Sequence, residues 1–469
     1  MVHAQGPHSH GENCCSAGGV RGSRGNTGRA GLYCFGEPAA KAKTIWYAPA
    51  PRWLHPQQAA PDQDSPIATV TSTGTTLCKE AFDVFQQGVQ QIREDQFPEA
   101  LESFDQALQL EAQFPQALCN RGLVQQLMRR FDESSVSFQQ SLELAPEEAS
   151  THMNLSMTLF LQQHLAEAWH EYQWRWQSER FESYPANIRR LAPQWDGTSL
   201  KSKRILVFGE QGIGDEIMFA SCLPEVIDAA ESCLIACSPR LIPMFRRSFP
   251  AAKVISRCQL PDVGKLDWQV SVGTVARYLR REAADFPRQE QLLSAEAELI
   301  DHWRGRLSGL GPGKKIGISW QGGKELDERR RRSTRLEQWL PVLATANVQF
   351  INLQYGDYQA ELAEVQQQHG IEIHDYAEID PLTDMDGLAA LVASLDRVIS
   401  IDNSTIHLSG ALGIPTWALL SFPSMSYWRW FLPGEETVWY RSLELFRREH
   451  PDGWEATFEK VAQRLNELN

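Results

Sequence analysis

The sequence of 469 residues predicts an array of short helices followed by two α/β domains with parallel sheets. Three observations predict it. A 34-residue period runs from about Leu77 to Trp176. The stretch Ile205–Ile217, ILVFGEQGIGDEI, then reads as a buried strand, a glycine turn and a helix start. After it, strands and helices alternate to the end of the chain, the pattern of parallel sheets covered by helices on both faces.

The composition sets the outer bounds. The chain is too long for one core, so about three domains are expected. An apolar content of 42% and a charged content of 22% are ordinary for soluble globular protein. The net charge of −14 argues against binding nucleic acid through the whole molecule. Apolar runs such as Thr416–Phe422 fall far short of the roughly 20 residues of a membrane span. No charged-then-apolar leader opens the chain, and nine cysteines without a CxxC pair suit reduced thiols in the cytoplasm.

Residues 1–75 are rich in Gly, Ala, Pro, Ser and Gln and read as disordered. His8, His10, Cys14 and Cys15 are ligand types, but their spacing fits no zinc pattern and no second pair follows; no metal is expected.

The repeats occupy residues 77–180. Gly88, Gly122 and Ser156 are 34 apart, as are Ala100, Ser134 and Ala168, then Phe104, Phe138 and Tyr172, and also Phe97, Phe131 and Leu165. Small residues let paired helices cross closely, and the aromatic is expected to plug the gap to the next repeat. Pro146 sits at a repeat end, where the preceding repeat has Ala112. Arg175 stands where a small residue is expected, in a segment with Trp169, Trp174 and Trp176 that reads as a hydrophobic cap docking onto the next domain.

Past a linker with Pro185, Pro193 and Gly197, a first α/β domain spans 195–293. Its expected strands are 204–209, 234–238, 253–256 and 268–272, with helices near 215–230, 239–248 and 274–281. A polar helical stretch at 294–310 and the turn Gly311-Pro312-Gly313 lead into a second domain, 313–469. There the expected strands are 315–320, 348–354, 371–374, 397–401 and 416–421, and the helices 336–346, 357–369, 384–394 and 404–412. Two such domains in series form a cleft, the usual place for a pair of substrates.

Three stretches could carry chemistry. In the first, Gly209, Gln211, Gly212 and Gly214 form a turn that brings Asp215 and Glu216 to a helix start. The glycine spacing is neither the dinucleotide fingerprint nor a Walker loop, which disfavours a nicotinamide or ATP enzyme. In the second, Asp402, Asn403, Ser404 and Thr405 offer N-cap oxygens, and His407 falls on the face of Ser404. Free N–H groups, a hydroxyl and an imidazole there suit a diphosphate. The alternative is a plain N-cap with a structural histidine. In the third, GISWQGG is followed by Lys324, Arg329 to Arg332, Ser333 and Arg335, a positive patch that could neutralise an anionic leaving group. Arg332 and Ser333 are the functional pair expected from it.

The repeat residues resemble the tetratricopeptide repeat. APQWDG, GEQGIGDEIMFA, GISWQGG with RRS, IDNSTIHLSGALGIPTWALL and then WRWF, WY and LFR together resemble the heptosyltransferase-like glycosyltransferases of family 9. The resemblance covers roughly residues 78–465. It implies a fold class of α plus α/β: tetratricopeptide repeats, then the GT-B pair of Rossmann-like domains, the first for the acceptor and the second for a nucleotide-sugar. A C-terminal helix at 454–467 would cross back toward the first domain.

By the same resemblance Asp215 is the general base, and Asp402, Asn403, Ser404 and His407 form the donor-phosphate motif. Arg332 and Ser333 match a basic element loosely. Asn403 replaces a more familiar threonine, which puts its donor contact in question. The resemblance further implies an inverting transferase without metal or other cofactor, moving a sugar to a glycan or protein acceptor, with the repeats binding protein. Two other readings stay open: an inactive repeat scaffold for protein interaction, and a protein O-glycosyltransferase.

Overall fold

The computed structural model describes residues 69–70, 76–177, 191–258, 262–287, 289–322, 332–421, 427–431, 434–448 and 453–468. His8, His10, Cys14, Cys15, Lys324 and Arg329 to Arg331 lie outside them.

A two-residue antiparallel ladder, β1 (Thr69–Val70) with β2 (Thr76–Leu77), precedes the repeats. The repeats are three helix hairpins: α1 (Lys79–Arg93) with α2 (Phe97–Leu110), α3 (Pro115–Leu127) with α4 (Phe131–Leu144), and α5 (Ala149–Leu161) with α6 (Leu165–Tyr172). Asp95, Arg129 and Gln163, again 34 apart, close the first helix of each pair at φ 58°, 61° and 63°. A left-handed non-glycine residue costs about 1 kcal/mol or more, so its recurrence reflects one turn geometry used three times.

A Cβ on Gly88 would lie 2.8 Å from the Phe104 ring, and one on Gly122 would lie 2.9 Å from Phe138. The aromatic therefore seats on the glycine of its own repeat, and it shares a core with the next one: Phe104 is buried with Phe114, Ala117 and Val124, and Phe138 with Met153 and Leu155. The two helices are only a ring's thickness apart there, and that separation fixes the glycine.

The first α/β sheet contains β3 (Arg204–Phe208), β4 (Ser232–Cys237), β5 (Lys253–Ser256) and β6 (Trp268–Ser271) in the order β5-β4-β3-β6, all parallel. The linker adds to its edge, with Trp195 N bonded to Gln269 O at 2.8 Å and Gln269 N to Pro193 O at 2.9 Å. After β3 the expected helix 215–230 is three pieces: α7 (Ile213–Phe219), a 3-10 turn at Ala220–Cys222 and α8 (Leu223–Ala229). Pro224 at the start of α8 explains the break, because proline has no N–H and clashes with the carbonyl four residues back. α9 (Ile242–Ser248) and α10 (Val272–Leu279) complete this domain, and α11 (Ala297–Ser308) leads out of it.

The second sheet comprises β7 (Lys314–Ser319), β8 (Val348–Asn352), β9 (Ile373–His374), β10 (Arg397–Ile401), β11 (Thr416–Leu420) and β12 (Leu443–Arg447), ordered β12-β11-β10-β7-β8-β9 and parallel throughout. Counted within the domain this is 3-2-1-4-5-6, the doubly wound order whose ligand crevice lies where the strand order reverses, between β7 and β10. Its helices are α12 (Leu340–Leu343), α13 (Gln359–His369), α14 (Met385–Val392), α15 (Ser404–Ala411) and α16 (Glu455–Glu467). The expected helix 336–346 is a 3-10 turn at Leu336–Trp339 followed by α12, broken again by a proline, Pro341.

The fold is thus tetratricopeptide-type hairpins followed by the two Rossmann-like domains of the GT-B arrangement. One expectation is corrected: α16 does not turn its apolar face to the first domain. Phe458, Val461 and Leu465 are buried with Trp339, Trp417 and Phe446 in the core of the second sheet. The segment around Trp428–Phe431 makes the return instead. Trp428 lies 4.6 Å from Phe160 of α5, and Trp439 lies 4.8 Å from Phe286.

Candidate active site

At the crevice of the second sheet the chain leaves β10 through Asp402 and Asn403 and enters α15. Asn403 is the N-cap: its Oδ1 accepts from Thr405 N at 2.9 Å, and its Nδ2 donates to Ser319 Oγ at 2.8 Å and to Gln321 O at 3.1 Å. That amide bolts the ends of β7 and β10 together. A threonine there could not supply both the acceptor and the two N–H donors. Ser333 closes the loop after β7, since its hydroxyl accepts from Gly322 N and donates to Gly322 O, both at 3.0 Å.

Across from this crevice lies the turn that leaves β3. Gly209 packs on Glu216, whose carboxylate accepts from Ser238 N at 2.9 Å and pairs with Arg257 at 3.0 Å. Burial pushes Glu216 up to about 7, against the pull of Arg257 and the Ser238 amide. Gln211, at φ 61°, donates to the Tyr172 hydroxyl of the repeats at 2.5 Å. Gly212 caps α7, and its N–H reaches back to Asp215 Oδ2 at 3.2 Å.

The two halves meet at helix N-termini. A Cβ on Gly214 would lie 2.8 Å from His407 Cδ2 and 3.5 Å from Ser404 Cα, so both residues present the same face to α7. Only a residue without a side chain lets the two backbones come this close. The His407 Nδ1 pairs with the Tyr440 hydroxyl at 3.1 Å, and its ring stacks on Trp430 at 5.2 Å. Burial lowers His407 to about 4; the Asp402 and Asp215 charges oppose this, and Arg429 and Arg332 reinforce it. The imidazole is therefore neutral at physiological pH.

Asp215 sits beside it. Burial would raise its pKa, but Arg429 holds it below the usual carboxylate range, with help from His407 and the Gly212 amide. Arg429 donates to Asp215 Oδ1 from Nε at 3.0 Å and from Nη2 at 2.5 Å, and both side chains are about seven-eighths buried. It also feels Asp402. One arginine thus faces the acidic groups of both domains.

The structure brings together Gly214, Asp215, Asp402, Ser404 and His407, with Arg332 close enough to act on His407. It puts Gly209, Gln211 and Gly212 in the turn behind them, and Asn403 and Ser333 in bonds that shape the second-sheet crevice. Sequence reasoning missed Arg429, although WRWF was singled out. An arginine between two tryptophans is the signal that could have found it, because aromatic walls exclude water from a charge that then needs a partner. It also missed the destination of Arg175. That side chain is fully buried and pairs with Glu210 through Nε at 2.9 Å and Nη2 at 2.8 Å.

Among the described residues, no group of three or more His, Cys, Asp or Glu is placed to hold a metal ion. None of their helices is long and apolar enough to cross a membrane.

No family model matches the sequence. Protein FlbA of Caulobacter vibrioides is 31% identical over 385 residues, which cover 78% of this chain and 63% of FlbA. The chain thus spans less than two thirds of the length of this curated relative. A family 9 glycosyl transferase from Veillonella parvula aligns in structure over 57% of this chain and 92% of its own, with 13% identity and a TM-score of 0.39. The Sgt2 tetratricopeptide domain from Aspergillus fumigatus aligns over 24% of this chain and 75% of its own, with 16% identity and a TM-score of 0.22.

Proposed function

We propose that this chain is a nucleotide-sugar-dependent, inverting glycosyltransferase whose repeats present a protein acceptor. The observation that carries the reading is the convergence of Asp215, from the first Rossmann-like domain, with Arg429, His407 and the N-terminal turn of α15, from the second. The diphosphate of the donor would lie at the crevice between β7 and β10, against the amide end of α15 and the charges of Arg429 and Arg332. Asp215 would take the proton of the acceptor hydroxyl as its oxygen attacks the anomeric carbon, and the nucleoside diphosphate would leave from the opposite face. Arg429 would exchange Asp215 for the diphosphate, freeing the carboxylate as the leaving group becomes neutralised. The positive charge comes from these side chains and amides rather than from a metal ion.

A protein acceptor is favoured by the first sheet. Its own crevice, between β3 and β6, is filled by Arg175 of the repeats, so the place where such a sheet would take a small ligand is occupied.

The test is nucleotide release from a panel of UDP-, GDP-, ADP- and dTDP-sugars. Asp215→Asn is expected to lower turnover by about a hundredfold or more while leaving donor affinity intact. Equal loss of both would make Asp215 structural. A second reading, an inactive scaffold, is favoured by one observation: the Arg429 clamp makes Asp215 a poor base as it stands. A thermal-shift panel separates the two, because a donor that binds only the folded chain raises its melting temperature.

A further inference from the structure

Arg175 lies just beyond α6, in the 3-10 turn Gln173–Gln177, and its guanidinium reaches out of the repeats into the first α/β domain. Its Nη2 donates to Glu210 at 2.8 Å, to Ser271 Oγ at 3.1 Å and to Thr274 Oγ1 at 2.7 Å; its Nε donates to Glu210 at 2.9 Å, and Nη1 donates to Tyr172 O at 2.9 Å. Glu210 in turn accepts from Gly273 N at 3.0 Å. A buried guanidinium and a buried carboxylate are costly to desolvate, so the pair persists only where its geometry is this complete. The repeat pattern asks for a small residue at this position, so the requirement comes from the domain it enters.

That position is the crevice of the first sheet. Glu210 directly follows Gly209 at the end of β3, Ser271 ends β6, and Gly273 and Thr274 open α10. Glu210 begins the turn that carries Asp215, five residues further on. The next residue, Gln211, is held in a left-handed conformation with its amide on the Tyr172 hydroxyl. Gly212 then bonds the Asp215 carboxylate. Two repeat residues therefore grip the near end of the turn, and Arg429 grips the far end.

We infer that Arg175 is a positioning residue, supplied by the repeats, that sets the 209–214 turn and through it the carboxylate of Asp215. The catalytic part of this statement rests on the transferase reading above; the holding of the turn does not. The array is then part of the catalytic unit as well as a surface for partners. In space Tyr172 is the link, since its carbonyl accepts from Arg175 Nη1 at 2.9 Å and its hydroxyl accepts from Gln211 at 2.5 Å.

The test uses the full chain with Arg175→Lys, Arg175→Met and the double variant Arg175→Met/Glu210→Met, read by hydrogen exchange and by donor turnover. Arg175→Met is expected to speed amide exchange in 209–216 by about tenfold while α1 to α4 keep their protection. Turnover should fall by about tenfold with donor affinity nearly unchanged, because a misplaced base costs rate rather than donor binding. Arg175→Lys should fall between. The double variant removes the stranded charge and should regain melting temperature but not turnover or exchange protection; if Arg175→Met does not fold, this variant and Arg175→Lys decide. Unchanged exchange in 209–216, equal loosening of the repeats and both sheets, or turnover restored along with stability in the double variant would each overturn the inference. A wild-type chain that neither binds nor turns over any donor would refute the transferase reading, and the exchange results would still decide whether Arg175 holds the turn.

Discussion

Arg429 donates two hydrogen bonds to a single oxygen of Asp215, from Nε at 3.0 Å and Nη2 at 2.5 Å, joining residues 214 apart in sequence. The bond ties the first Rossmann-like domain to the second beside His407. Removing the arginine leaves a buried carboxylate with no counter-charge, so Arg429→Met is expected to cost roughly 3 kcal/mol in urea unfolding at pH 7. The folded pKa of Asp215 lies below its ordinary value. The stabilisation is therefore complete above the usual carboxylate range and is lost as pH falls through the folded value. The gap between wild type and variant should shrink at pH 3, and a gap that does not depend on pH would contradict the ion pair.

His407 gives a second signature on the acid side. Its pKa is 6.5 in the unfolded chain and about 4 in the fold. Between these values the unfolded chain binds more protons, so stability is fully present above pH 6.5 and declines as pH falls toward 4, by about 3 kcal/mol in all. His407→Gln should remove that part of the acid loss, measured as urea midpoints at pH 7.5 and 4.5. Identical pH dependence in the two proteins would mean that His407 is not buried in its neutral form.

Gly214 and Gly305 make opposite predictions for the same substitution. Gly214→Ala places a methyl 2.8 Å from His407 and should destabilise by about 1–3 kcal/mol while forcing α7 and α15 apart. Gly305 lies inside α11 with nothing within 4 Å of the added carbon, and Gly305→Ala should stabilise by about 0.5–1 kcal/mol. Thermal unfolding of the two variants checks both signs.

What the sequence reveals follows from what is local. The repeats are legible because Gly88 and Phe104, and then Gly122 and Phe138, recur at a fixed period and meet within one hairpin. Both sheets, β12 apart, are legible because their strands are short apolar runs beside turns. The turn around Asp215 is legible because three glycines precede a carboxylate at a helix start. Arg429 and Arg175 are not, since their partners lie far away in sequence and no local pattern requires either pairing. β12 escapes notice because LELFR is short and lies next to a tryptophan-rich segment. The target of α16 escapes because an amphipathic helix shows which face is buried but not against what. The breaks at Pro224 and Pro341 were visible as residues, yet apolar periodicity continues across both.

The proposal that side chains and helix amides neutralise the leaving diphosphate has a direct consequence for metal removal. Turnover should be unchanged by EDTA and abolished or severely lowered in Arg429→Met. Loss of turnover with EDTA and its return with magnesium or manganese would assign that charge to a metal ion instead.

The transferase reading requires the β7/β10 crevice to bind a nucleoside diphosphate sugar against Asp402, His407 and the start of α15. Calorimetric titration of the full chain with UDP-, GDP-, ADP- and dTDP-sugars decides whether it does. Saturable binding of one donor class is expected, weakened at least about tenfold by His407→Ala, which removes the ring packed between Gly214, Trp430 and Tyr440 at the first turn of α15. Absence of binding for every donor, or binding that His407→Ala leaves unchanged, would contradict that reading.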